Sequence, residues 1–160
     1  MLDANLLCLL VVGLTDPTAI SQHRRLRTFV RNDFAIVQNI VELFDMIVVC
    51  PHVLTEASNL LGFEDRGGMV RRSRRTLAAI VADFEERSYA APIAMDDVDY
   101  LRLGLTDAVL LLLANQSTVL LTADLHLALA ADARGHYIIN YNHVRDGAIT
   151  LEQIARMRLG

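Results

Sequence analysis

Apolar positions fall into short blocks separated by acids, glycines and prolines, and the period within each block predicts its element. Leu6 to Val12 is continuously apolar between Asp3 and Gly13, which predicts a very short strand and then a helix closed by a C-terminal glycine. Ser21 to Val30 and Phe34 to Phe44 repeat at 3.6 residues and predict a helical hairpin. Met46 to Cys50 is a short β-branched run that predicts a buried strand leading into a helix from His52 to Leu61. The Gly67-Gly68 pair opens a long amphipathic helix, Val70 to Glu86, with Leu77, Ile80, Val81 and Phe84 inward and arginines outward. Further along, the pattern predicts strands at Pro92 to Met95, Thr118 to Leu121 and Tyr137 to Asn140. It predicts helices at Thr106 to Asn115, Asp124 to Ala133 and Leu151 to Met157. Short apolar strands alternating with helices are the signature of an α/β fold with a parallel sheet covered on both faces.

In such a sheet the ligand site lies at the carboxyl ends of the strands, which turns sequence positions into geometry. Asp3 and Asp124 follow two predicted strands, Glu56 stands one turn into the helix after a third, and Asp107 opens the helix carrying Val109 to Leu113. Each of Asp3, Asp107 and Asp124 has a simpler reading as a helix cap. Together, four carboxylates converging on one pocket repel one another unless protons or a divalent cation compensate, and hard oxygen donors select Mg²⁺ or Mn²⁺.

The same residues carry a family resemblance. MLDANLLCLL, CPHVLTEASNLL, LGLTDAVLLLLA and VLLTADLHLA resemble, in this order, the four acidic motifs of the PIN-domain nucleases, which include VapC-type toxins. The resemblance implies a single domain over residues 1–160, a three-layer α/β/α PIN-like domain with a central parallel sheet. It implies an endoribonuclease whose catalytic and metal-binding residues are Asp3, Glu56, Asp107 and Asp124, holding Mg²⁺ or Mn²⁺, with Asn5 and Thr122 as supporting polar residues. It also implies an RNA substrate, a small antitoxin partner that would occlude the acidic pocket, and a homodimer. Apolar side chains on the early helices, Phe29, Phe34 and Val41, point to the same dimer. The rival class is a catalytically silent module of this kind that binds RNA or protein.

Composition narrows the chemistry. The 160 residues are 53% hydrophobic, 21% charged and 6% aromatic without Trp, so an aliphatic core is expected. All 15 basic residues are Arg, which removes the lysine that Schiff-base enzymes and Walker-type phosphate loops require. The two cysteines sit in apolar runs, no spanning helix or signal peptide is legible, and a reducing, cytoplasmic setting is expected. The histidines lack ligand spacing, and Asp96, Asp97 and Asp99 read as a solvated turn. Arg24, Arg25, Arg27 and Arg31 form one basic cluster and Arg71, Arg72, Arg74 and Arg75 another. Both are open to two readings, solvated helix faces or contacts to phosphates flanking a scissile bond.

Overall fold

Asp3 sets the first turn of the molecule. In the computed structural model, which describes residues 1–62, 68–115 and 117–157, its Oδ1 accepts the Leu6 N–H at 2.7 Å and caps α1 (Ala4–Thr15). Nine of this helix's residues are buried, so it forms the centre of the core. Two 3₁₀ turns (Pro17–Gln22 and Arg24–Leu26) lead to α2 (Arg31–Glu42). Then come β1 (Val48–Val49), α3 (Pro51–Leu61), α4 (Met69–Val81) and β2 (Glu85–Glu86). Short helices α5 (Ala91–Met95) and α6 (Tyr100–Leu103) precede α7 (Leu105–Leu113). The chain continues through β3 (Leu120–Thr122), α8 (Leu125–Ala133), β4 (Ile138–Asn140), α9 (Tyr141–Arg145) and α10 (Leu151–Met157). One contiguous apolar cluster runs from Met1 to Ile154.

The expected three-layer α/β/α domain with a central parallel sheet is not what forms. Helix dominates, and the described strands make two separate parallel pairs, β1 with β2 and β3 with β4, each two or three residues long. The physical reason lies at the middle of the would-be sheet. Leu2 makes a single parallel bridge to Leu121, after which Asp3 turns the chain into α1. Among the described residues no backbone hydrogen bond joins Leu2 to β1. A cavity of about 470 Å³ opens between the two pairs instead, lined by Leu2, Phe44, Val48, Arg87 and Val119 among others.

Other expectations change locally. Pro92 to Met95 is helical, because Pro92 stands in the first turn of α5, where its missing N–H costs nothing. Residues 17–26 form 3₁₀ turns rather than the first arm of a helical hairpin. Gly13 lies inside α1, not at its end. A Cβ there would fall 2.1 Å from Cδ2 of Phe34, so the bare backbone is what admits that ring. Phe29 is buried, and Phe34 and Val41 are partly buried against the core, so these side chains serve the monomer's own packing. Of the predicted Gly67-Gly68 helix opening, Gly67 lies outside the described residues, while Gly68 takes φ +72° immediately before α4.

The acidic turn is not simply solvated. Arg134, at the end of α8, holds Asp97 at 2.6 Å and Asp99 at 2.6 Å, and Asp99 also pairs with Arg102. This network ties the turn before α6 to α8 and so fixes the approach to α7. No helix among the described residues is long and apolar enough to cross a membrane.

Candidate functional site

Asp3 is the most constrained of the four acids. It is 5% exposed, and beside the Leu6 bond its Oδ2 accepts the Thr122 hydroxyl and the Ala123 N–H, the latter at 2.9 Å. Burial raises its pKa, and the three hydrogen bonds oppose that rise. Thr122 ends β3 and links two acids, since its Oγ1 also accepts the Asp124 N–H at 3.0 Å. Asp124 then caps α8, its Oδ1 accepting from His126 and Leu127 at 2.7 and 3.1 Å. The cap reading of Asp3 and Asp124 is therefore correct as far as it goes. In Asp124 the cap engages Oδ1 alone among the described residues.

Asp107 does no capping. It is the third residue of α7, half-buried, and no hydrogen bond to its carboxylate occurs among the described residues. The turn that aims α7 depends on Gly104, at φ +90°, a conformation that disfavours any side chain. Burial, and then the carboxylates of Asp124, Asp3 and Glu56 in that order, push Asp107 up to about 7. Asp124, Asp3 and Glu56 are thus each within electrostatic reach of Asp107. Glu56 is exposed on α3, which packs against both α1 and α7.

Of the two supporting residues, Thr122 is fully buried in the role just described. Asn5 is exposed, and its side chain makes no hydrogen bond among the described residues. Two neighbours of the site were not singled out by the sequence. Glu86 closes β2 beside β1, and both Glu86 and Glu56 add to the burial that raises the Cys50 thiol. His52 stands one helical turn before Glu56, and its Nδ1 is buried without a hydrogen-bond partner. The His-x-x-x-Glu spacing on one helix face was the available signal for His52. Glu86 gave none, because β2 follows an amphipathic helix without any turn residue.

Donor chemistry and charge fit a hard divalent cation: four carboxylates, one of them pushed toward neutrality by burial and by the other three. Coordination is not preassembled, for no group of three or more His, Cys, Asp or Glu among the described residues is close enough to hold a metal as it stands. Two acids are fixed by backbone donors, and two, Asp107 and Glu56, have carboxylates without a hydrogen-bond partner among the described residues. No protein-family model matches the chain, and neither the curated proteins nor the solved structures contain a match to it.

Proposed function

We propose that the protein is a metal-dependent endoribonuclease acting at Asp3, Glu56, Asp107 and Asp124, the activity implied by its resemblance to PIN-domain nucleases. The observation that carries this reading is Asp107, a half-buried carboxyl without a hydrogen-bond partner among the described residues, pushed up to about 7 by burial and then by the charges of Asp124, Asp3 and Glu56. A helix cap needs no such convergence, whereas a pocket built to receive positive charge does.

Asp107, Glu56 and the uncapped Oδ2 of Asp124 would hold Mg²⁺ or Mn²⁺, with Asp3 Oδ1 retaining one unused lone pair. The bound cation would supply an activated water and neutralise charge on the leaving oxygen. The protein's own part is orientation. Thr122 and the α1 and α8 amino termini hold Asp3 and Asp124, while Asp107 in its ionised form and Glu56, exposed on α3, would complete the set. Under the same proposal, the likeness to toxins assigns a small antitoxin that covers this pocket.

A second reading, a catalytically silent module binding RNA or protein, draws on the lack of a preassembled ligand group among the described residues. Thermal melting with added Mn²⁺ separates the two. The nuclease reading expects Mn²⁺ to raise the wild-type Tm by several degrees and to do so far less for Asp107→Asn. Equal shifts in both proteins, or none in either, would remove the metal site.

A further inference from the structure

The α4 helix, MVRRSRRTLAAIV, carries four arginines and no acid in a chain whose net charge is -4. Arg71, Arg72, Arg74 and Arg75 are all exposed, while Ser73 is buried and Leu77 and Ile80 face the core. At 100° per residue, the four guanidinium stems fan over an arc of about 160° within little more than one turn. The like charges repel, and among the described residues none of the four has an ion pair. The Arg72 guanidinium donates to the Met69 sulfur, at 3.6 Å, and its charge reaches Asp16. This face stabilises the fold little, and a polyanion is what would relieve its repulsion.

Its position is fixed by two contacts. Thr76 Oγ1 lies 2.8 Å from Thr15 Oγ1 at the carboxyl end of α1, and Arg74 reaches Gly62, just past the end of α3. Asp3 caps the opposite end of α1, about 18 Å away along the axis, and Glu56 lies about 9 Å back along α3. The patch is therefore offset from the acids along both helices, where it can meet phosphates outside the pocket.

We propose that the Arg71, Arg72, Arg74 and Arg75 face of α4 is an exosite for the phosphates of single-stranded RNA. The inference rests on the ribonuclease reading for its choice of ligand. A protein partner is the poorer fit, because protein interfaces centre on a desolvated apolar cluster. None of the large exposed apolar side chains of this molecule lies on α4. Phosphates need only the cations, and arginine forks match their oxygens.

The test is binding of a fluorescent single-stranded RNA of about 15 nucleotides to the full chain in metal-free buffer, followed across a salt series. The proposal expects the quadruple variant, with Arg71, Arg72, Arg74 and Arg75 each changed to Gln, to bind about tenfold more weakly at low salt. Its log–log salt slope should fall by up to about 3, at ~0.7 per phosphate contact. The corresponding four-Lys variant should keep most of the slope, which separates charge from any disturbance of folding. An unchanged slope in the Gln variant would overturn the proposal, as would equal loss in the Lys variant. It would also be overturned if a polyglutamate peptide of matched charge bound this face as tightly as the RNA. Because no cleavage is read, loss of the nuclease reading in the Mn²⁺ experiment leaves this result to be judged separately.

Discussion

Asp107 shows how one side chain can be told from a helix cap. With its pKa raised from 3.8 to about 7, the folded protein keeps a proton that the unfolded chain has already released. The folded state therefore binds more protons over that window, so stability falls as pH rises from 3.8 to about 7 and the full penalty applies above it. A fully sheltered group shifted this far would cost about 4 kcal/mol, and half-exposure reduces that to about 1–2 kcal/mol. Asp107→Asn in metal-free buffer should be more stable than wild type by about that amount at pH 8 and equal to it near pH 4. Chemical denaturation at the two pH values reads this directly, and a variant less stable at pH 8 would mean that Asp107 has a structural bond. The four acids were legible because strand exits and helix starts are marked by acids in the sequence. The Thr122 link between Asp3 and Asp124 was legible only as a polar residue in the right place. A hydroxyl that donates to one acid and accepts from the backbone of the next is set by tertiary approach, as residues 3 and 122 are far apart in the chain.

At the scale of elements, Gly13 makes the sharpest claim. Alanine is normally better than glycine inside a helix by about 1 kcal/mol. Here the added methyl would meet the Phe34 ring 2.1 Å away, so Gly13→Ala should instead lower stability by about 2 kcal/mol or more. In a double-mutant cycle the penalty should largely vanish on a Phe34→Ala background, and urea denaturation of the four proteins measures it. Additive losses would show that the helix, not the ring, objects to the methyl. Sequence periodicity located α3, α7, α8 and α10 within a residue or two of their observed bounds. It failed at Gly13, where a glycine serving a close packing contact reads like a terminator. It failed again at Pro92, where a proline after an alanine serves a strand edge or a first helical turn equally well. The expected sheet failed for a different reason: residue patterns report that strands are buried, not how many ladder bonds join them.

Across the whole molecule two groups of charge stand apart. Asp3, one of the acids bearing on Asp107, lies at the start of α1 and the α4 arginines lie toward its Thr15 end, so the long buried helix separates the candidate acids from a basic face. The 470 Å³ cavity between the strand pairs is lined by none of the four acids and plays no part in that arrangement. A polyanion lying across the basic face would approach the acids only if their charge were compensated, which is the common root of the metal and the RNA assignments. The most direct measurement is cleavage of a single-stranded RNA by the purified 160-residue chain with Mn²⁺, beside Asp107→Asn and a chelator control. Phosphodiester hydrolysis by wild type that falls by about 100-fold or more in the variant, and stops with chelator, is the predicted result. Intact RNA with the wild type, or cleavage at the same rate by Asp107→Asn, would contradict the account.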